Sequence, residues 1–407
     1  MTAACRFCST PLARTFCDLG MSPLSNAFIK PGDAHRMEPF YPLHTYVCTN
    51  CFLVQLEQFE TPANIFSDYV YFSSYSDTWL VHSREFAEYA VREFGLNANS
   101  LVIEAASNDG YLLQYFKKAG IPVLGIEPAQ NVAAAALAKG IPTVTEFLGV
   151  RSAQKLAADG KRADLLIGNN VFAHVPDLND FAAGLHTLLK PAGVLSLEFP
   201  HLLQLMQNNQ FDTIYHEHFS YFSFGTALRV LAKHGMTVFD VEELSTHGGS
   251  LRVYASPDAA RRPTLRVQKM LECERTAGLD KAATYAAFAE QVKTTKRALL
   301  HFLLDAKDAG KSVVGYGAPA KANTLLNYCG IRTDFIEFTV DRSPHKQGLL
   351  LPGTRIPVMH PDRIFERKPD YVLILPWNIK DEIIGQMAGI RDWGGQFVVP
   401  MPRPTVC

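Results

Sequence analysis

Between residues 101 and 199, short apolar runs alternate with segments whose apolar positions recur at helical spacing. The runs fall at residues 101–106, 123–126, 143–147, 165–168 and 194–199. Short runs that are apolar throughout fit strands buried on both faces, and their alternation with helices predicts a mainly parallel sheet. Residues 238–244 and 251–254 flank a His247-Gly-Gly249 turn and read as a hairpin that gives the sheet an antiparallel end. Seven such strands make one variant of the doubly wound α/β fold. Upstream, Trp79, Leu80, Phe86, Tyr89, Ala90 and Phe94 recur at helical spacing over 78–94, which predicts a helix leading into the sheet. After Pro257 the pattern is helical to about residue 309. A second α/β unit then opens at Val313-Val-Gly-Tyr-Gly-Ala-Pro-Ala-Lys321, with further strands expected at 335–340, 371–375 and 397–399.

Composition narrows the function. The chain has 407 residues, enough for two or three packed units, and 39 basic against 40 acidic side chains. No uniform field exists to draw in a nucleic acid or an anionic bilayer. No apolar stretch approaches the roughly 20 residues of a membrane span, and residues 1–12 lack the pattern of a secretory signal. A cytoplasmic protein is expected. There, its 8 cysteines are metal ligands or buried thiols sooner than a disulfide framework.

Four of them form two pairs of CxxC spacing, Cys5 with Cys8 and Cys48 with Cys51. Two tight knuckles can surround one tetrahedral ion, so structural Zn²⁺ is expected; four sulfurs leave no open position for catalysis. The gap of about 40 residues between pairs is longer than in compact zinc ribbons, and a hairpin insertion would accommodate it.

In an open parallel sheet, ligands bind beyond the carboxyl ends of the strands. The first strand runs into Glu104-Ala-Ala-Ser107-Asn108-Asp109-Gly110, and the second ends in Glu127. An acidic residue there is placed to accept hydrogen bonds from a ribose diol. The first loop lacks a full GxGxxG set, with Ala106 at a turn usually glycine, so a dinucleotide pyrophosphate would be crowded. S-adenosylmethionine has no pyrophosphate. Glu104 and Asp109 are expected near its ammonium and sulfonium, Ser107, Asn108 and Gly110 around them, Phe147 beside the adenine and Asn169 at the cofactor mouth. Past the fifth strand stands Tyr215-His216-Glu217-His218, flanked by Phe211, Phe219 and Tyr221. In an extended stretch His216 and His218 would share one face and Tyr215 with Glu217 the other, whereas a turn could bring them together. Clustered ionisable groups among aromatics are costly to bury without purpose. Metal binding by the two histidines has no evident third ligand.

These blocks, with Cys5 to Cys51, Asn169 to Pro176, Thr246 to Tyr254 and Gly315 to Lys321, resemble the three-domain sugar C-methyltransferases. The likeness covers nearly the whole chain. It implies an N-terminal zinc-binding domain (1–70), a class I methyltransferase domain of Rossmann-like fold (71–256) and a C-terminal Rossmann-like, substrate-handling domain (257–407). It implies S-adenosylmethionine-dependent methylation of the carbon next to the ketone of a dTDP-4-keto-deoxyhexose, C-3' favoured. It also implies an active site of Tyr215, Glu217, His218 and His174, with His218 as base, and a pocket tyrosine at Tyr75 in the segment that starts at Tyr71. A hydrogen beside a ketone needs a base and an oxyanion donor to leave, and imidazole is a base poised near neutral pH. In the C-terminal unit Lys321 and Asn323 are expected to hold the nucleotide-sugar pyrophosphate, with Asp341 in the position of a ribose ligand. A zinc-ribbon adaptor on an inactive Rossmann scaffold and an NAD-dependent oxidoreductase are the rival readings. A thermal shift with S-adenosylhomocysteine, with NAD or with neither separates the three. Oligomeric state is not legible.

Overall fold

The computed structural model describes residues 3–66 and 72–407. Tyr71 and the expected boundary at residues 70 and 71 lie outside the described residues.

Three sheets carry the chain. In the first, β1 (Arg14–Ser22), β2 (Tyr41–Val47) and β3 (Val54–Leu56) are antiparallel neighbours, and the fourth strand, β9 (Ser220–Tyr221), comes from far along the chain to pair with β3. The second sheet holds β4 (Val102–Ala105), β5 (Val123–Ile126), β6 (Thr143–Val144), β7 (Ala163–Asn169), β8 (Leu189–Pro200), β10 (Thr237–Leu244) and β11 (Ser250–Ser256). Its order is β10-β11-β8-β7-β4-β5-β6, parallel except for the closing hairpin. Strand order reverses beside β4, and there the cofactor end of the sheet opens. The third sheet is built from β12 (Val313–Tyr316), β13 (Thr339–Val340), β14 (Val358–Met359), β15 (Tyr371–Ile374), β16 (Gln396–Val399) and β17 (Thr405–Val406), in the order β14-β13-β12-β15-β16-β17.

The seven-stranded sheet has the expected alternation because its strands are buried on both faces. Val102, Ile103, Leu165, Leu166, Leu195 and Leu197 are all solvent-free. The expected helix over 78–94 is present as Asp77–Glu93, started by Ser76, whose hydroxyl accepts from the Trp79 amide. Two strands are shorter than expected. The run at 143–147 pairs only over Thr143–Val144, so Phe147 lies in the loop beyond it. The run at 335–340 pairs only over Thr339–Val340, because Phe335 and Ile336 donate instead to the carbonyl of Arg332 in a turn. Apolar character there reports burial of Ile336 and Phe338, not pairing.

Ala106 stands at a turn where glycine is usual. It sits at φ 55°, in the left-handed region that glycine adopts without penalty. We expect Ala106→Gly to raise stability by about 0.5–1 kcal/mol, because relief of the left-handed strain exceeds the extra entropy of an unfolded glycine. Ala106→Val should lower it. Thermal melts of the two variants check this, and a less stable Ala106→Gly would show that the turn is not strained.

Candidate active site

The two cysteine knuckles are built alike. In each, the amide four residues after the first cysteine donates to that cysteine's carbonyl, Ser9 to Cys5 at 2.8 Å and Phe52 to Cys48 at 3.0 Å. Ser9 and Phe52 both have positive φ, which turns the chain back over its sulfurs. The four Sγ atoms lie within 4.8 Å of one another. Cys5 and Cys51 are 3.6 Å apart and Cys8 and Cys48 3.5 Å, close to the roughly 3.8 Å edge of a tetrahedron with zinc–sulfur bonds of about 2.3 Å. Gln55 Nε2 donates to Cys5 Sγ at 3.2 Å and the amides of Asn50 and Cys51 donate to Cys48 Sγ, which suits thiolates. The donor set fits Zn²⁺ in a closed, structural role. Among the described residues no other group of histidine, cysteine and carboxylate side chains could hold a metal ion.

The zinc unit is tied to the chemistry. Arg6 donates to the carbonyls of Leu56 and Pro176 and lies over the Phe219 ring. Thr226 and Arg229 both donate to the Cys51 carbonyl. The β3–β9 pairing begins two residues after His218.

A cleft of about 1050 Å³ runs between the carboxyl ends of the seven-stranded sheet and the C-terminal sheet. Glu127, Asn169, His174, Tyr215, Glu217 and His218 all line it. The Tyr-His-Glu-His block is a turn closed by the His218 amide on the Tyr215 carbonyl at 2.9 Å. The extended alternation therefore does not apply. The turn brings Tyr215, Glu217 and His218 to the cleft and sends His216 to the zinc-domain sheet, where its Nε2 meets the Pro42 carbonyl and its ring packs against Tyr41. His216 and His218 do not form a metal pair.

His218 Nδ1 lies 2.9 Å from the Thr213 carbonyl. A carbonyl only accepts, so Nδ1 carries the proton and Nε2 the lone pair. The Tyr215 ring packs 4.0 Å from the His218 ring, and His174 meets it edge-on at 4.6 Å. Asn26, from the zinc unit, donates to Glu217 Oε1. Burial holds the His218 pKa well below its ordinary value, with the neighbouring His174 charge adding to the effect, and burial brings His174 down to about 4. Both imidazoles are thus neutral at pH 7. The sign follows: the unfolded chain binds protons that the folded chain refuses, so stability present above about pH 6.5 declines as the pH falls toward 4. Urea titrations at pH 7 and pH 5 check this, and equal midpoints would contradict it.

At the cofactor end, Glu127 accepts the amides of Asn108 and Ala129, both at 2.9 Å. Each carboxylate oxygen keeps a lone pair for a ribose hydroxyl. Asn169 Oδ1 is buried without a protein partner at the cleft wall, and a buried polar atom of this kind calls for a ligand group. Ala106 and Asn108 also line the cleft; the Asn108 side chain accepts the Ser73 amide and so anchors the turn that carries Tyr75. Tyr75 lines the cleft and its hydroxyl lies 3.4 Å from His345 Nε2. Phe147 reaches the cleft from its loop, half exposed. These residues fit S-adenosylmethionine.

Four expected cofactor contacts stand back from the cleft wall. Asp109 is paired with Lys139 at 2.8 Å, because the left-handed Asn108 turns the chain away from the sheet end. Ser107 is buried against Gly125 of β5. Gly110, at φ 76°, approaches Ile141 so closely that a Cβ would lie 2.9 Å from its Cγ1. Glu104 is fully buried beneath the loop, and burial raises its pKa well above the usual range, with the Tyr111 hydroxyl opposing.

On the C-terminal side Lys321 enters the same cleft, donating to Asn378 Oδ1 at 2.7 Å and lying over the Trp377 ring. Burial lowers its pKa, with Asp212 opposing. Asp212 is itself buried, accepts from Trp377 Nε1 at 2.6 Å and is pushed up to about 6 by burial. Asn323 is not at the cleft. One helical turn past the loop, it is 1% exposed and bonded to Asn327, because its position on the helix faces the core. Asp341 lines the cleft and accepts the Ala318 amide at 2.8 Å, holding the glycine loop as Glu127 holds Asn108. The sequence marks His247 only as part of a turn and assigns no role to Asn26 or to the group of Glu198, His82 and Arg252, joined at 2.7 to 2.9 Å.

A four-sulfur zinc unit, a sheet of this order and a cleft over its carboxyl ends define a class I methyltransferase, whose cofactor is S-adenosylmethionine, with an added structural zinc site. Comparison with known proteins places it further. Residues 5–66 match a model described as "Putative zinc binding domain", 81–241 a methyltransferase domain and 245–402 a C-methyltransferase C-terminal domain. The chain is 36% identical over 405 residues to C-methyltransferase NovU of Streptomyces niveus, covering 99% of this chain and 96% of that one. This chain belongs to the C-methyltransferase family. Solved structures are more distant. Magnesium protoporphyrin IX methyltransferase of Synechocystis is 18% identical with a TM-score of 0.33, covering 44% of this chain and 81% of that one. The Haloferax volcanii methyltransferase solved with its Trm112 activator is 12% identical with a TM-score of 0.36, covering 45% and 95%. No helix among the described residues is long and apolar enough to cross a membrane.

Proposed function

We propose that this enzyme methylates the carbon next to the ketone of a dTDP-4-keto-deoxyhexose, with C-3' favoured. The observation that carries the reading is His218, an uncharged imidazole whose Nδ1–H is held by a backbone carbonyl while the ring lines a cleft shared with Glu127. S-adenosylmethionine, when bound, would supply an electrophilic methyl group. His218 Nε2 takes the α-proton, and the electron pair moves onto the ketone oxygen. Tyr215 or His174 donates to that oxygen, and Glu217, oriented by Asn26, stabilises the imidazolium that results. Glu127 and Asn169 would hold the cofactor, Glu127 at the ribose, and Tyr75 would line the sugar pocket. Lys321 neutralises the diphosphate. A reducing cytoplasm suits a chain whose cysteines all remain unpaired.

The test is incubation of the enzyme with a dTDP-4-keto-6-deoxyhexose and S-adenosylmethionine carrying a ¹³C methyl group. A new methyl bonded to carbon beside the ketone is expected by NMR. A methyl on oxygen or nitrogen overturns the reading. For the C-terminal side, Lys321→Ala should weaken dTDP-sugar binding about tenfold or more while leaving S-adenosylhomocysteine binding unchanged. Unchanged sugar affinity removes Lys321 from the site.

A further inference from the structure

Two imidazoles on the cleft wall, His82 and His247, have no place in this scheme; His82 is paired with Glu198 at 2.9 Å, which leaves His247 to be explained. His247 stands in the one-turn 3₁₀ segment Thr246–Gly248 between β10 and β11, at φ 55° and ψ 22°. Left-handed backbone of this kind costs a histidine on the order of 1 kcal/mol and is retained where the surroundings impose it. The surroundings here are specific. A Cβ on Gly248 would lie 2.6 Å from Trp377, and one on Gly249 2.7 Å from Gln204. Only glycines let the loop wedge between these side chains. Gln210 Nε2 donates to the Gly248 carbonyl at 2.7 Å, and Thr246 Oγ1 donates to Glu198 at 2.9 Å. The loop is therefore clamped on both sides of His247.

That clamp presents the His247 ring at the wall of the cleft, edge-on to Trp79 at 5.2 Å. Its Nδ1 is buried and has no hydrogen-bond partner in the protein. The ring is within electrostatic reach of both His218 and Lys321. Burial lowers the His247 pKa to about 4, so the ring is an uncharged donor at pH 7. A buried, unpaired nitrogen costs stability, and a strained backbone costs more.

We propose that His247 is a further catalytic residue, whose N–H donates a hydrogen bond to the substrate's ketone oxygen as His218 removes the α-proton. This deepens the function proposed above and rests on it. In the step, the carbon–hydrogen bond breaks, a nitrogen–hydrogen bond forms at His218 Nε2, and the pair that bound the hydrogen becomes the carbon–carbon π bond of the enolate. The carbonyl π pair moves to oxygen, where His247 meets the developing charge. A neutral imidazole suits this role because it donates without surrendering its proton.

The backbone strain provides the test. His247→Gly removes the ring and the left-handed penalty together, so its thermal midpoint should equal or exceed that of the wild type. Its kcat on a dTDP-4-keto-6-deoxyhexose should nevertheless fall about 10²- to 10³-fold, with KM changed less than threefold and S-adenosylhomocysteine affinity unchanged. His247→Asn, which keeps an N–H donor and accepts the same φ, should recover part of that loss. Wild-type turnover in His247→Gly overturns the inference, as does a loss confined to KM. So does a His247→Gly protein that loses both its fold and its cofactor affinity. Wild-type enzyme that fails to methylate this substrate would instead count against the proposed function, so the two failures are separable.

Discussion

His218→Asn is expected to lower kcat by about 10²- to 10⁴-fold, the range supplied by a positioned general base. Asparagine can still donate to the Thr213 carbonyl but presents no basic nitrogen. S-adenosylhomocysteine should stabilise the variant as it does the wild type, since Glu127 and Asn169 are untouched. The pH profile carries a second expectation. Because burial and the neighbouring His174 depress the His218 pKa, the acid limb of kcat/KM should lie below the 6.5 of ordinary histidine. Turnover that survives in His218→Asn, or an acid limb above pH 7, would exclude this residue as the base.

Removing zinc should have the larger structural effect. Structural zinc contributes an apparent 10–16 kcal/mol or so in small domains, which matches or exceeds the roughly 5–15 kcal/mol that holds a typical domain folded. Cys48→Ser or chelation should therefore unfold the N-terminal unit. The consequence does not stop there. β9 begins two residues after His218 and pairs with β3, and Asn26 orients Glu217. Zinc loss is expected to abolish turnover while the seven-stranded sheet still binds S-adenosylhomocysteine. Metal content, limited proteolysis and ligand-induced thermal shift on the same sample check this. Zinc-free protein with normal turnover would contradict it.

Much of this architecture is legible in the sequence because it is encoded locally. CxxC spacing fixes two knuckles, and apolar runs four to six residues long fix strands of a covered sheet. Strand-end residues such as Glu127 and Asn169 inherit their placement from that sheet. Legibility fails where the backbone changes direction. Asp109 faces Lys139 because Asn108 before it is left-handed, and Phe147 sits in a loop because β6 ends at Val144. Asn323 and Lys321 are two residues apart on one helix, and only their rotation about its axis separates a core amide from a cleft cation. Asn26 and Glu217 meet across 191 residues, a contact with no local trace. His247 was visible only as half of a glycine turn. Its left-handed φ and its unpaired nitrogen exist only once Trp377 and Gln204 crowd the loop.

The claim on which the rest depends is that His218 ionises a carbon beside a ketone. Incubation of enzyme, dTDP-4-keto-6-deoxyhexose and S-adenosylhomocysteine in deuterated water tests it without methyl transfer. Deuterium should enter at the α-carbon with wild-type enzyme and stay out, to within about a hundredth of that rate, with His218→Asn. Exchange that proceeds equally in both proteins, or methyl transfer by an enzyme that shows no exchange, would contradict the account.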